Sequence, residues 1–125
     1  MGFQSGSYFY VILCLILTLY GQIIIKYRIN LYPKINGDFF YTFKKVLLLF
    51  LDPYILSGLF SALIASFFWM MALTKLSLSR AYPIMATAPI IIVLLSTIFL
   101  KEDLTLGKLI GSLLILLGIY LAIKF

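Results

Sequence analysis

Histidine is missing from this chain of 125 residues, cysteine occurs once, and Asp and Glu together occur only four times. The single cysteine, Cys14, lies in an apolar run, so there is neither an internal disulfide nor a Cys-rich or His-rich donor set for a metal. No metal or other cofactor is expected. No glycine-rich phosphate loop of the Walker type is present, which excludes an ATP site in this chain. Charge is the scarcest property: charged residues are 11% of the chain against 64% hydrophobic ones, whereas a soluble domain has about a quarter and about half. The mean hydropathy is +1.15. A water-soluble enzyme is excluded on these grounds, and the chain is expected to have no enzymatic activity.

What charge there is has one sign, with ten Lys and Arg giving a net +6. These cations are scattered between apolar runs and form no basic stripe, so nucleic acid is not an expected partner. They read as juxtamembrane anchors for the phosphates of membrane lipids. Residues 1–10 contain no Lys or Arg, and no small-residue cleavage site follows the first apolar run, so that run is expected to be a mature helix. Position 6 is glycine, where a myristoylation signal has Ser or Thr.

About 20 apolar residues are needed to cross the hydrocarbon, and four such segments fit. The expected fold is an all-α membrane protein, one transmembrane domain over 1–125, with helices at 7–28, 53–74, 80–100 and 105–123. Pro33 and Gly37 sit in the charged turn after the first span. Asp52-Pro53 opens the second, as a capping residue followed by a first-turn proline. Between them, 38–51 is too short to cross and carries Lys44 and Lys45. It reads as an interfacial amphipathic helix, the alternative being a cytosolic extension of the second span. Arg28, Lys34, Lys44, Lys45, Lys101 and Lys108 fall on one side of the membrane, against Lys75, Arg80 and Lys124 on the other. The positive-inside rule then favours both termini outside the cytoplasm.

Within the first span, Tyr10, Cys14, Thr18, Gln22 and Lys26 recur every four residues and so share one side of the helix. A polar stripe in lipid is expected to face protein or water; Lys26, near the helix end, either serves a site or snorkels to the headgroups. The second span presents Gly58, Ala62 and Ala65, with Ser57, Ser61 and Ser66 alongside, as a close-approach surface. Trp69 would cap it, either as an aromatic-belt residue or as a stacking platform. Pro89 removes a backbone donor from the middle of the third span and marks a hinge. Pro83 is expected in that span's first turn. Gly107, Gly111, Gly118 and Ala122 give the last span a helix-association face, the candidate dimer interface. No Asp or Glu lies in any predicted membrane core.

The segments GQIIIK (21–26), LSLSRAYP (76–83) and LKEDLTLGKLIG (100–111), followed by a glycine-rich last helix, resemble in order and spacing the drug/metabolite transporter superfamily in its four-helix form. That form includes the small multidrug resistance exporters and the subunits of the aminoarabinose-phosphoundecaprenol flippase. Where the exporters carry a membrane-embedded Glu, this chain has Thr18; where they have a Gly-x-Gly hinge, it has Thr87-Ala88-Pro89. The versions found here, Gly21-Gln22 with Lys26 and Ala81-Tyr82-Pro83, are more similar to the flippase branch. The resemblance makes Lys26 and Gln22 candidates for the lipid-linked phosphate or sugar, with Tyr82 nearby and Glu102 at the end of the third helix; Thr18, Trp69 and Arg80 complete the candidate substrate-binding set.

The expected function is therefore a flippase, or a subunit of one, for an undecaprenyl-phosphate-linked sugar or related anionic polyprenyl lipid in the bacterial inner membrane. Four helices can hardly enclose a headgroup path, which implies a homodimer or a heterodimer with a similar subunit. The alternatives are a small-molecule or cation exporter of the small multidrug resistance type, and a structural or regulatory membrane subunit without transport.

Overall fold

A computed structural model describes residues 2–125, with side chains from residue 6 onward. Every element among them is helical: α1 (Gly2–Leu31), α2 (Phe39–Leu49), α3 (Pro53–Leu73), α4 (Leu78–Met85), α5 (Ala88–Phe99) and α6 (Leu106–Lys124). Four stretches are long and apolar enough to cross a membrane, namely Gly6–Leu31, Pro53–Leu73, Leu78–Phe99 and Leu106–Lys124. With the shorter α2 between the first two, this is the fold expected from the hydropathy pattern. Large apolar side chains such as Ile16, Phe60, Leu113 and Ile123 are exposed on the outside of the chain. A bilayer is the solvent that accepts such a surface.

Local chemistry sets the helix ends. Asp38 caps α2 by accepting the Tyr41 amide at 2.8 Å. Asp52 caps α3 by accepting the amides of Tyr54 at 2.8 Å and Ile55 at 3.3 Å, with Pro53 at the first helical position, where its missing donor costs nothing. Thr105 caps α6 through the Lys108 amide at 3.2 Å.

The third span is two helices. α4 ends at Met85 and α5 begins at Ala88, with Ala86 and Thr87 in a turn between them. Pro89 lies just past this break and has no N–H to donate to the Met85 carbonyl. The Thr87 hydroxyl turns back onto the Ile84 carbonyl at 2.6 Å, which satisfies one acceptor that the interrupted ladder frees. Pro83 is placed otherwise than its expected first-turn position: α4 starts at Leu78, leaving Pro83 inside the helix as its sixth residue. Ser77 opens the helix earlier than Arg80 suggested, because its extended backbone already provides the N-terminal boundary.

Packing centres on α1 and α3, which run antiparallel in contact along most of their length. Their backbones meet at Gly21 and Gly58, where a Cβ on Gly21 would stand 2.8 Å from the Gly58 carbonyl oxygen and one on Gly58 would stand 3.1 Å from that of Gly21. Only glycine on both sides permits this approach. Ser61 donates across the seam to the Leu17 carbonyl at 2.8 Å, and Ala65 is buried beside it. One turn on the other side, the Tyr20 and Ser57 hydroxyls are 3.0 Å apart. The close-approach surface of α3 is therefore Gly58, Ser61 and Ala65, while Ala62 is exposed. Val11, Ala72, Leu76 and Ala81 form an apolar cluster that ties α1 to the end of α3 and the start of α4.

α6 is different. None of its residues is buried, and its main contacts are with α4 and α5. A Cβ on Gly111 or Gly118 would have nothing within 4 Å. The glycines at which helices approach closely inside the chain are thus Gly21 and Gly58, not those of the last span.

This asymmetry predicts opposite outcomes for two matched substitutions. Gly21→Ala should destabilise the purified protein by about 1–3 kcal/mol, since a methyl group is forced against backbone, whereas Gly111→Ala should be neutral or slightly stabilising. Reversible unfolding in detergent, followed by helical circular dichroism, measures both. Equal losses would mean that α1 and α3 do not cross at Gly21.

Candidate substrate site

The polar stripe of α1 begins in packed surroundings and ends in open ones. Tyr10 stacks on Phe68 at 6.1 Å between ring centroids, Cys14 is buried, and Thr18 is half-buried with its hydroxyl on the Cys14 carbonyl at 2.8 Å. Gln22 and Lys26 are exposed. The side chains that the sequence groups together are thus divided along the helix. Thr18 lies two turns before Lys26, about 12 Å along the axis.

Thr18 opens onto a cavity of about 350 Å³ between α1, α3 and α4, walled by Ala65, Ser66, Trp69, Tyr82 and Met85 among others. Trp69 and Tyr82 meet edge to face, 5.5 Å between ring centroids and 85° between planes, which is a favoured aromatic geometry. The hydroxyls of Thr18 and Ser66 both point to carbonyls of their own helices, Cys14 and Ala62. The chamber therefore offers aromatic surface and small hydroxyls, and no side-chain charge lines it.

On the α5 side of α1 lies an apolar groove of about 370 Å³, bounded by Leu19, Tyr20, Ile23 and Tyr27 of α1 and by Leu95 and Phe99 of α5. Gln22 and Lys26 do not line it; both are exposed on the adjoining face of α1, three positions after the groove residues Leu19 and Ile23.

The remaining expected site residues lie apart from these two features. Arg80 is exposed and lines a larger cavity, about 740 Å³, with Tyr8, Ser79, Pro83 and the end of α6. That cavity is at the opposite end of α1 from Lys26. Glu102 is half-buried beyond α5, its amide donating to the Ser96 carbonyl at 3.2 Å, after Lys101 reverses the chain in the left-handed region with φ 55°. Gly118 and Ala122 line a cavity of about 430 Å³ against Tyr82 and Pro83 of α4 and Ala86 of the turn that follows it.

One cluster was not legible as a unit. The Asp52 carboxylate, 2% exposed, receives Arg28 through Nη2 at 2.9 Å and Nε at 3.2 Å on Oδ2, and the Tyr32 hydroxyl donates to the same oxygen. The Arg28 guanidinium also lies over the Tyr54 ring, 4.5 Å from its centroid. Asp52 was recognisable as a cap and Arg28 as a headgroup-side cation. Their 24-residue separation hides the pairing, although an Asp and an Arg at facing helix ends are a signal that an antiparallel hairpin would have explained. The Tyr32 hydrogen bond first, then Arg28 and the two capping amides, hold the Asp52 carboxyl at about 2, well below its ordinary range and against the opposing effect of desolvation. The same bond raises the Tyr32 phenol.

The family model for EamA-like transporters matches residues 6–124. No curated protein and no solved structure matches the chain.

The Asp52 cluster carries a pH signature. A carboxyl depressed in the folded state contributes stability that is complete above its unfolded range, near 3.8, and is lost as pH falls through about 2. The unfolding midpoint of the wild-type protein in detergent should therefore fall between pH 4 and pH 2. Asp52→Asn should start lower at neutral pH and change less across that window. Parallel profiles for the two proteins would remove Asp52 from the stabilising network.

Proposed function

The chain belongs to the EamA-like transporter family, and from that premise we propose that it moves an anionic polyprenyl lipid, such as an undecaprenyl-phosphate-linked sugar, across a bacterial inner membrane. The observation that carries this reading is the apolar groove between α1 and α5, with Gln22 and Lys26 exposed on the neighbouring face of α1. A polyprenyl tail would lie along Leu19, Ile23 and Leu95, and its phosphate would meet the Lys26 ammonium and the Gln22 amide. A charge-assisted bond from Lys to phosphate is strong where water is scarce. The pathway needs no ATP site, and the chain offers none of the Walker type.

The groove opens to the outside of the chain, so a headgroup crossing here would need a second wall. A second subunit, the same chain or a similar one, supplies it in this proposal. The Gly107–Gly111 face of α6 is free of intrachain neighbours apart from Thr105 Oγ1, 3.8 Å from a Cβ at Gly107. Such a face suits close helix approach from another subunit. In this reading the break at Ala86–Thr87, adjoining Pro89, is the flexible point about which α4 and α5 change their relative angle.

A second reading, export of a small aromatic or cationic molecule, has one feature in its favour. The Trp69–Tyr82 chamber presents two aromatic rings in a compact volume. It has no carboxylate to couple export to protons, and Thr18 stands where the resembling exporters carry Glu. The flippase reading is preferred on that ground.

Translocation of a polyprenyl-phosphate-sugar in proteoliposomes separates the two. Lys26→Ala should lower flipping by about 100-fold or more, the consequence of deleting one partner of a desolvated ion pair, with expression and oligomeric state matched to wild type. Lys26→Arg should restore it in part, because a planar fork replaces a compact ammonium poorly in a confined site. Near wild-type flipping by the Ala variant would remove Lys26 from the site. Uptake of a hydrophobic cation by the wild-type protein, abolished by Trp69→Ala, would favour the export reading.

A further inference from the structure

The segment between the first two spans does more than connect them. The first apolar span ends at Leu31 and the next begins at Pro53, so the segment from Tyr32 to Asp52 is tethered at both ends to helices long enough to cross the membrane. α2 has no buried residue, and Phe39, Phe40, Phe43, Leu47 and Leu48 are all exposed. An amphipathic helix with that surface lies in the plane of the interface.

Between α2 and the preceding loop is a cavity of about 280 Å³, walled by Tyr32, Lys34, Tyr41, Lys45, Leu48 and others. Two of its lining residues are lysines, Lys34 in the loop and Lys45 on α2. Among the described residues neither forms an ion pair, and the buried carboxylate nearest in the chain, Asp52, is already occupied by Arg28 and Tyr32. Asp38 points its carboxylate back to the Tyr41 amide. Lys45 is held over the Tyr41 ring, its Nζ 5.5 Å from the centroid. Two lysines lining one concave space without a carboxylate partner favour an anion there.

The walls are also fixed in place. Tyr32 is tied through its hydroxyl to Asp52, and so to the ends of α1 and α3. Tyr41 lies so close over Gly37 that any Cβ there would collide with its ring. Leu48 and Leu49 add apolar surface to the same lining. Cations, aromatic rings and apolar side chains in one lining together suit the phosphate, glycerol and acyl portions of a phospholipid.

We propose that this cavity binds the phosphate headgroup of an anionic bilayer phospholipid, which fixes α2 on the membrane surface. The site is separate from the groove between α1 and α5 and does not depend on the transported substrate. It belongs to the end of the protein where the cations are concentrated, and that end faces the leaflet whose negative surface potential attracts them.

The test uses the full chain purified in a neutral detergent, with phosphatidylglycerol or phosphatidylcholine added and retained lipid counted by native mass spectrometry. Wild-type protein should retain phosphatidylglycerol preferentially. Lys34→Gln combined with Lys45→Gln should weaken that retention about tenfold or more, the loss expected for two headgroup-level cations. Lys101→Gln combined with Lys108→Gln, the same change in net charge at the same end, should leave it near wild type. Lys34→Arg with Lys45→Arg, which preserves charge, should retain binding and so separates loss of the site from loss of the fold. Equal losses in the two Gln pairs would show diffuse attraction and overturn the proposal. So would displacement of the lipid by millimolar inorganic phosphate, which would mark a site for the free ion. Lys26→Ala should keep phosphatidylglycerol retention intact; its loss there would place the lipid in the transport groove and overturn this site without bearing on the flippase reading.

Discussion

Where Gly21 and Gly58 cross, each backbone faces the carbonyl of the other with no side chain between them, and this contact sets the distance between α1 and α3 for the rest of the bundle. Inside a bilayer, burying apolar surface against a neighbouring helix gains little, because lipid is equally apolar, so association rests on close van der Waals contact and interhelical hydrogen bonds. The crossing supplies the first. Ser61 on the Leu17 carbonyl and Tyr20 beside Ser57 supply the second. At the headgroup end the pair is closed by Arg28 and Tyr32 on Asp52, and at the far end by Val11 against Ala72, Leu76 and Ala81. One helical hairpin is therefore fixed at three heights, and everything else is arranged around it.

The remaining spans are looser, and their looseness is where transport would operate. α5 meets α1 across an open apolar groove, α4 meets α6 across a cavity, and α6 buries none of its residues. A transporter must present its site alternately to two sides, and the elements that move in such a cycle are those with few buried contacts. A tightly packed α1–α3 hairpin stands against a third span broken at Ala86–Thr87. The two meet at the Trp69–Tyr82 contact and in the cluster of Val11, Ala72, Leu76 and Ala81.

Much of this was legible along the chain. The four spans follow from hydropathy alone, since each is a long run of residues that water would reject. The cap at Asp52 follows from the local competition between side-chain oxygens and backbone amides, and the same competition accounts for the caps found at Asp38 and Thr105. The break near Pro89 follows from a missing donor. Pro83 was misplaced because helix initiation at Ser77 depends on how the chain turns after α3, and no residue type announces that turn. The small-residue seam was legible as to helix but not as to face: Ala62 and Ser61 are equally small, and only contact with Leu17 selects Ser61.

The sequence by itself determined that the protein lives in lipid, how many times it crosses, how the second span is capped at Asp52 and which connections are cationic, because these are sums of transfer free energies and local hydrogen bonds. Tertiary structure decided which side chains become neighbours. It left Thr18 half-buried and Gln22 and Lys26 exposed, brought Trp69 to Tyr82, and joined Arg28, Tyr32 and Asp52 across a hairpin. Helical spacing records the angle of a residue about its own axis and leaves open what stands opposite. The opposing surface is settled only when two helices choose a crossing point, and here a pair of glycines 37 positions apart makes that choice.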